Sequence, residues 1–202
     1  LQRLAVEGAE SFYRGSLAED IVRDASLLGM KLGIDDLKSY TPVLHAVDGF
    51  SYRNVTVNAA TGLSAGPTLQ HALGLLEQNL AGPPAVPDGR LYGAYAAAMN
   101  EAYAERLCGF GDSPEGAIPS CTTHLNVVDR EGNVVALTQT LLSLFGSKVV
   151  LPDTGILMNN GMMWFDPTPD RVNSIAPGKR PLSNMCPVIM CDRAGYRTAI
   201  GA

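Results

Sequence analysis

Apolar residues recur at helical spacing through much of the first half of the chain. Over Leu1–Gly29 this spacing predicts two helices interrupted at Gly15-Ser16, with Ser16 as the N-cap of the second helix. A capped turn is predicted at Ile34–Leu37. Further helices are predicted over Pro67–Leu80, with its leucines on one face, and over the alanine-rich stretch Leu91–Leu107.

Alternating polar and apolar residues, a pattern typical of strands, flank the sequence Asp129-Arg130-Glu131-Gly132. The stretch Cys121–Thr140 therefore predicts a β-hairpin with its turn at these four residues. Shorter strand-like runs are Val43–Val47 and Tyr52–Ala59, whereas Pro152–Pro187 is a long connection rich in proline, glycine and asparagine. A helical half followed by a β-rich half predicts an α/β or α+β fold.

Composition limits the classes of protein to consider. A chain of 202 residues with 46% hydrophobic and 17% charged residues can build one sizeable core. The net charge of −5 and the pI near 5.1 argue against nucleic acid or an anionic membrane as the main partner. Apolar stretches such as Leu91–Met99 are too short to span a bilayer.

The spacing of the cysteines does not match a metal site. The four cysteines are Cys108, Cys121, Cys186 and Cys191. We interpret them as mostly free thiols, which favours a reducing compartment and therefore a cytoplasmic over a periplasmic location. No metal site is predicted.

A threonine pair, Thr122-Thr123, opens the first strand of the predicted hairpin. If the peptide bond before Thr122 is cut, this residue carries both a hydroxyl nucleophile and, in its new α-amine, the adjacent general base. The ordinary pKa of an α-amine is about 7.7–8.0, so part of it is basic near neutral pH. Because β-propensity alone also explains a threonine pair here, the local pattern leaves both interpretations open.

A second candidate nucleophile lies in Gly62–Gly66, which matches G-x-S-x-G between a strand-like run and a predicted helix. This is the context of a serine-hydrolase nucleophile elbow, with Ser64 as the nucleophile. The histidines downstream are His71, within the following predicted helix, and His124. Short Gly/Ser motifs also arise by chance, so a structural loop is the alternative interpretation.

Several longer blocks of sequence are more specific. They are Glu7–Gly15, Asp36–Tyr40, Ala102–Arg106, Thr122-Thr123-His124, Gly132-Asn133, Thr138-Gln139-Thr140, Phe145-Gly146, Gly155–Asn160 and Gly178–Ser183. In these blocks the chain closely resembles the γ-glutamyltranspeptidases, which are N-terminal-nucleophile hydrolases, over nearly its whole length. The resemblance implies an α+β fold, the four-layer αββα sandwich of that superfamily, present here as a fragment. It also implies a self-processing amidohydrolase or acyltransferase that cleaves γ-glutamyl or related acyl amides, as a glutathione hydrolase does.

The resemblance assigns the catalytic residues. Thr122 matches the nucleophile, so the peptide bond that is cut is Cys121–Thr122. Thr140 matches the threonine whose hydroxyl lies near the nucleophile and helps to activate it. His124 is expected to be a packed histidine rather than a base, because the α-amine already fills that role.

The resemblance also assigns residues that bind the substrate. Ser183 matches the first serine after Arg-Pro-Leu, which binds the α-carboxylate, while the second serine of the family is Asn184 here. Asp153 stands where many members carry a glutamate that holds the α-amino group. Its side chain is one methylene shorter than that glutamate.

Three positions depart from the family pattern. Leu142 replaces an asparagine, Gly161 a glutamine and Trp164 an acidic residue that pairs with the substrate ammonium. Losing such contacts costs several kcal/mol of recognition. The departures resemble the offshoots of the family that act as cephalosporin acylases, and they predict that Trp164 lies near the acyl chain. The linker Leu107–Thr122 is also shorter than in typical transpeptidases.

The resemblance further implies an organisation into subunits. Residues 1–121 correspond to the C-terminal part of a large subunit and residues 122–202 to the N-terminal part of a small one, together forming one structural domain. The expected partners are a small-molecule amide substrate and the remainder of both subunits, which form a heterodimer after processing. No metal or organic cofactor is required, and glycines beyond residue 202 would form the oxyanion hole. The alternatives are a cephalosporin (glutaryl) acylase-type amidase and a non-catalytic, unprocessed homologue.

Overall fold

The computed structural model describes residues 1–110 and 120–201. The helices are α1 (Gln2–Glu7), α2 (Glu10–Arg14), α3 (Ser16–Leu27), α4 (Ile34–Ser39), α5 (Gly66–Asn79) and α6 (Gly89–Phe110). The strands are β1 (Phe50–Tyr52), β2 (Val55–Ala59), β3 (Ser120–Val128), β4 (Val134–Ser143), β5 (Val188–Asp192) and β6 (Arg197–Ile200), and Gly161–Trp164 is a short 3-10 helix. The chain divides into two compact units, unit 1 (Leu1–Leu44 with Ser143–Asn160) and unit 2 (His45–Leu142 with Gly161–Ala202).

Unit 1 is organised around α3. The buried apolar residues of this helix recur at helical spacing and are Leu17, Ala18, Ile21 and Ala25. Leu17 and Ile21 form a core with Leu151, which is completely buried although it lies more than a hundred positions further along the chain. Apolar burial therefore holds the segment 143–160 against the N-terminal helices.

The prediction of two helices over Leu1–Gly29 is wrong, because this region contains the three helices α1, α2 and α3. Gly8 ends α1 with a φ of 76°, a conformation that glycine adopts without steric cost. The N-cap of α3 is Gly15 rather than Ser16, which is the first helical residue. A Cβ at Gly15 would lie 2.8 Å from the Ser11 Cα, so the close approach of these two residues requires glycine.

The capped turn predicted at Ile34–Leu37 is confirmed as the start of α4. The Asp36 carboxylate accepts a hydrogen bond of 2.7 Å from the backbone N–H of Gly33, the N-cap residue. This bond satisfies one of the donors that have no intrahelical partner at a helix N-terminus.

Unit 2 contains a four-stranded antiparallel sheet in the order β1-β2-β5-β6. In its register Val57 pairs with Met190 and Ala59 with Val188. Val57, Ala59 and Val188 form the core under this sheet, and Leu69 and Leu73 of α5 pack against it. The predicted helix over Pro67–Leu80 and its apolar face are thereby confirmed. The strand predicted at Val43–Val47 is wrong, because these residues are irregular and pair with no strand.

Helix α6 packs along α5. Its buried apolar positions are Leu91, Ala98 and Ala102, so the face is made mainly of small side chains. The high intrinsic helix propensity of alanine favours this helix, and its small side chains let the two helix backbones approach closely. The same face carries Arg106, a buried charged residue.

The hairpin predicted over Cys121–Thr140 is confirmed as β3 and β4, which form a two-stranded sheet. Its turn is closed by Asp129, whose backbone N–H donates to the Asn133 carbonyl at 3.1 Å. The Asp129 carboxylate also accepts from the backbone N–H and side-chain amide of Asn133, at 2.8 Å and 2.7 Å. Gly132 completes the turn with a φ of 80°. The hairpin contacts β6, since the Asn126 side-chain amide donates to the Ala199 carbonyl at 3.0 Å.

The two compact units do not coincide with the two predicted subunits, because unit 1 combines residues from both sides of the expected cleavage site. The assignment of residues 1–121 and 122–202 to two subunits of one domain stays a prediction. The predicted linker falls largely on residues 111–119, outside the described residues. Within the described ranges, Cys186 and Cys191 are free thiols, and none of the helices is long and apolar enough to cross a membrane.

Candidate active site

Thr122 and Thr140 meet across the β3–β4 hairpin. The Thr122 hydroxyl donates a hydrogen bond to the Thr140 hydroxyl oxygen at 3.3 Å, and both residues are half-buried. Successive side chains of a strand point to opposite faces, so every second residue lies on the same face. One face of this hairpin therefore carries Thr122, His124, Thr138 and Thr140. This face combines a candidate nucleophile with a second hydroxyl that can orient it.

The Thr140 hydroxyl has a further fixed partner. Its oxygen accepts a hydrogen bond of 2.8 Å from the backbone N–H of Leu142. Leu142 is buried and has a φ of 77°, in the left-handed region that a leucine rarely adopts. Asparagine, which the family commonly carries here, enters this region at lower cost. The backbone thus holds Thr140 in place, while an apolar side chain occupies a position where a polar one is usual.

His124 is a packed residue in the structure, as expected from the sequence. Its Nδ1 lies within hydrogen-bond distance of the Thr138 hydroxyl, at 2.7 Å, and its Nε2 lies 2.8 Å from the Asn126 amide oxygen. A Cβ at Gly201 would lie 2.3 Å from the His124 ring, so a larger residue there would require this ring to move. Both ring nitrogens therefore have structural partners within the hairpin.

Ser183 and Asn184 lie in the segment that precedes β5. The Ser183 backbone N–H donates to the Leu63 carbonyl at 2.7 Å, and its hydroxyl oxygen accepts from the Met185 N–H at 3.2 Å. The carbonyl of Ser183 accepts from the Arg106 guanidinium at 2.6 Å. Ser183 is half-buried and Asn184 exposed. The main chain of the predicted carboxylate-binding residue is therefore fixed on both sides.

Gly161 and Trp164 are the first and last residues of the 3-10 helix. Trp164 is half-buried, and its carbonyl accepts a hydrogen bond of 2.6 Å from the Asn173 side-chain amide. Asp166, two residues further on, is buried and lies 3.4 Å from the Arg171 Nε. The acidic residue nearest to Trp164 in sequence is thus part of a local ion pair in this loop.

Asp153 belongs to unit 1, whereas the other predicted site residues belong to unit 2. Its carboxylate is exposed and lies 3.6 Å from the Arg23 guanidinium. Its backbone N–H, together with the N–H and hydroxyl of Thr154, donates to one carboxylate oxygen of Asp24 at 3.0–3.1 Å. Asp24 is completely buried, so it anchors the loop that carries Asp153.

Ser64 makes the hydrogen bonds of a structural turn residue. Its hydroxyl donates to the Ala60 carbonyl and accepts from the Gly66 N–H. A Cβ at Gly66 would lie 1.8 Å from the Ala60 oxygen, which explains the second glycine of the motif. The Nδ1 of His71, the nearer candidate base, faces the Glu105 carboxylate. These contacts support the interpretation of Gly62–Gly66 as a structural loop.

Sequence reasoning did not single out Arg106, which belongs to one of the family-like blocks. Its side chain is almost completely buried and contacts the Ser64 carbonyl, the Thr68 hydroxyl and the Ser183 carbonyl. Burial lowers the pKa of the Arg106 guanidinium from its usual value, because desolvation disfavours the charged form. A charged residue on the buried face of an alanine-rich helix is the sequence signal that identifies it. Nowhere in the described ranges do three or more histidine, cysteine or acidic side chains cluster as metal ligands.

Comparison with known proteins shows the fold and the family of this chain. The structure is similar to the crystal structure of a cephalosporin acylase from Bacillus halodurans, with a TM-score of 0.82 and 24% identity, over 98% of this chain and 42% of that one. This likeness confirms the predicted α+β fold. The gamma-glutamyltranspeptidase family model matches residues 1–121 and 112–202. The chain belongs to the gamma-glutamyltranspeptidase family, as its sequence blocks predicted.

Two relatives show the range of this similarity. A glutathione hydrolase proenzyme of Arthroderma benhamiae is 32% identical over 241 residues, which cover 94% of this chain and 41% of that protein. The acylase ACY 1 proenzyme of a Pseudomonas species is 28% identical over 236 residues, covering 100% of this chain and 42% of that protein. The chain thus spans less than half the length of these relatives.

Proposed function

We propose that this chain carries the nucleophile of a self-processing amidohydrolase or acyltransferase, with Thr122 as that nucleophile. The observation that carries the proposal is the hydrogen bond of 3.3 Å between the hydroxyls of Thr122 and Thr140 near the start of β3. Membership of the gamma-glutamyltranspeptidase family supports it, because relatives in the comparison are named as glutathione hydrolase and acylase proenzymes.

Processing begins with attack of the Thr122 hydroxyl on the Cys121 carbonyl. The C–N bond between the two residues breaks and an ester to the Thr122 oxygen forms, while the nitrogen gains the proton of the hydroxyl. Water then hydrolyses this ester, which releases the Cys121 carboxylate and restores the hydroxyl. Thr122 now has a free α-amine that can act as the general base.

Turnover uses the same hydroxyl on an amide substrate. The α-amine takes the hydroxyl proton as the Thr122 oxygen attacks the carbonyl, and the amine of the substrate leaves with that proton. The acyl group remains as an ester until water or a second amine accepts it. Thr140, oriented by the Leu142 N–H, positions the attacking oxygen through its hydroxyl. No metal or organic cofactor takes part in these steps.

The acyl group is expected to be a γ-glutamyl or related dicarboxylic acyl group. Ser183 and Asn184 are proposed to bind its carboxylate and Asp153 its α-amine if one is present, with Trp164 beside the acyl chain. A glutaryl acylase-type specificity is the second candidate, favoured by the buried, apolar side chain of Leu142 where the family carries asparagine. The Leu142 side chain offers an ammonium neither a charge nor a hydrogen-bond acceptor, so this part of the site stabilises an ammonium poorly.

The processed subunits are proposed to stay together as a heterodimer with the remainder of both subunits. Unit 1 supports this, since Leu17 and Ile21 precede the expected cut and pack with Leu151, which follows it. Breaking such an apolar core would expose it to water, so cutting one peptide bond does not by itself separate the two parts.

Intact-mass measurement and N-terminal sequencing of the full-length protein test this function. We expect two chains, the smaller of which begins at Thr122. A Thr122→Ala variant should remain a single chain and should not turn over amide substrates, with Thr123→Ala as the matched control that still processes. A wild-type protein that stays uncut after long incubation at neutral pH would instead support the non-catalytic homologue.

A further inference from the structure

A buried guanidinium lies beneath the predicted carboxylate-binding segment. Arg106 is 6% exposed, and its Nη1 donates to the Ser64 carbonyl and the Thr68 hydroxyl at 3.1 Å each. Its Nη2 donates to the Ser183 carbonyl at 2.6 Å. The planar fork of an arginine can satisfy several acceptors at fixed angles, whereas a lysine amine is a single point of charge. The three acceptors are therefore matched to arginine.

The same two segments are also joined by their backbones. The Ser183 N–H donates to the Leu63 carbonyl at 2.7 Å, and the Ala65 N–H donates to the Met185 carbonyl at 3.1 Å. The G-x-S-x-G loop thus pairs with residues 183–185 through backbone hydrogen bonds. Arg106, on α6, donates hydrogen bonds to a carbonyl in each of these two segments. This explains what the motif does when Ser64 is not a nucleophile.

The hydroxyl of Ser183 is oriented by this arrangement. It accepts a hydrogen bond from the Met185 N–H at 3.2 Å, which leaves its own proton available to donate to a different acceptor. A substrate carboxylate is an acceptor of this kind, and its hydrogen bond to a hydroxyl is charge-assisted. Any shift of the 183–185 backbone would change the direction in which this hydroxyl donates.

We propose that Arg106 is a positioning residue, which holds Ser183 in the geometry that binds the carboxylate of the acyl group without touching the substrate itself. This rests on the proposed function, in which Ser183 contacts that carboxylate. Arg106 precedes the expected cleavage site and Ser183 follows it, so the hydrogen bond also joins the two predicted subunits. Arg106 is thus a specificity determinant of the site that acts through the main chain of Ser183.

Kinetics with two donors that differ only in the carboxylate provide the test. Processed full-length wild-type, Arg106→Lys and Arg106→Gln enzymes are compared on glutaryl-p-nitroanilide and butyryl-p-nitroanilide. We expect KM for the glutaryl compound to rise about tenfold in both variants, with a small change in kcat, and the butyryl values to stay close to wild type. Arg90→Lys, at an 88% exposed position on the same helix, is the matched control and should change neither compound.

A double-mutant cycle separates positioning from general damage. If Arg106 acts through Ser183, Ser183→Ala should remove most of the preference for the glutaryl donor, and adding Arg106→Lys should then have little further effect. Additive losses in the cycle would overturn the proposal, as would an unchanged ratio of the two donors in folded Arg106 variants. Arg106→Lys decides the question where Arg106→Gln does not fold.

Hydrogen exchange gives a readout that does not depend on activity. The Ser183 and Met185 amides should exchange at least about tenfold faster in Arg106→Lys than in the wild type, whereas those of β5 should be unchanged. An unchanged exchange rate at residues 183–185 would overturn the positioning role. Absence of turnover of either donor by the wild type would instead overturn the proposed function.

Discussion

The hydroxyl oxygens of Thr122 and Thr140 are 3.3 Å apart, although eighteen residues separate them in sequence. The hairpin turn at Asp129 brings them together, because the Asp129 N–H to Asn133 carbonyl bond aligns the two strands. The His124–Thr138 contact lies between the turn and the threonine pair in the same register. A hydroxyl held at this distance can orient a nucleophile through a single hydrogen bond, and this relationship leads to the first prediction.

Thr140→Ala should slow both self-cleavage and turnover by roughly 10- to 1000-fold, because it removes one hydrogen bond to the attacking oxygen. Ser64→Ala should leave both rates near those of the wild type, since the Ser64 hydroxyl bonds only within its own loop in the described contacts. Rates are measured by the appearance of the cut chain and by release of p-nitroaniline. A Ser64→Ala enzyme as slow as Thr140→Ala would show that the nucleophile is wrongly assigned.

Specificity should favour a donor without an α-amine. We expect a higher kcat/KM for glutaryl-p-nitroanilide than for γ-glutamyl-p-nitroanilide, because Leu142, Gly161 and Trp164 offer no charge to an ammonium. Trp164→Asp should shift the ratio toward the γ-glutamyl donor, and Trp164→Leu is the control for loss of the indole alone. Strong preference of the wild type for γ-glutamyl, unaltered by Trp164→Asp, would show an ordinary transpeptidase.

Leu142→Asn should act on both stability and specificity. Asparagine adopts a φ of 77° more readily than leucine, which offsets part of the lost apolar burial. We expect a net change in the free energy of unfolding within about 1.5 kcal/mol, measured by urea denaturation, together with a gain in relative activity on the γ-glutamyl donor. Leu142→Ala, which loses the burial without gaining an amide, should be less stable than Leu142→Asn.

Asp24→Ala should destabilise unit 1. The buried carboxylate accepts hydrogen bonds from Asp153 and Thr154, and its loss leaves those donors unpaired in a part-buried loop. A cost of roughly 2–4 kcal/mol in the free energy of unfolding is expected from urea denaturation. Glu19→Ala, at an exposed position of the same helix, is the control and should change stability little. Equal losses in the two variants would contradict the anchoring role of Asp24.

The hairpin turn should weaken in acid. The hydrogen bonds from the Asn133 side chain and backbone lower the pKa of the Asp129 carboxyl below its usual value of about 3.9. A carboxyl with a lowered pKa in the folded state adds stability above its unfolded pKa, and this is lost as the pH falls through the folded pKa. NMR titration of Asp129 should therefore give a midpoint below 3.9. The difference in stability between wild type and Asp129→Ala should shrink from neutral pH to below that midpoint.

The local pattern of polar and apolar residues predicted the elements that depend on contacts between residues close in sequence. The alternation around Asp129–Gly132 was sufficient for the β3–β4 hairpin, since a hairpin requires only a turn and two alternating strands. Leucine spacing predicted α5 in the same way. The strand predicted at Val43–Val47 was wrong because alternation measures the tendency to extend and carries no information about a pairing partner. The extra break at Gly8 was missed because an isolated glycine within a helical pattern is tolerated and does not by itself mark the end of a helix.

The sequence by itself determined the family, the hairpin and the helices. Both the periodicity of apolar residues and the blocks that resemble the family involve residues that are close together in the sequence. Only the tertiary structure showed the hydrogen bond between Arg106 and Ser183, which are 77 positions apart in sequence. The same holds for the hydrogen bond between Asp24 and Thr154, which are 130 positions apart. It also revealed the left-handed backbone of Leu142, which directs an N–H to Thr140. Such contacts depend on how elements pack, and a buried charge finds its partners only when distant segments meet.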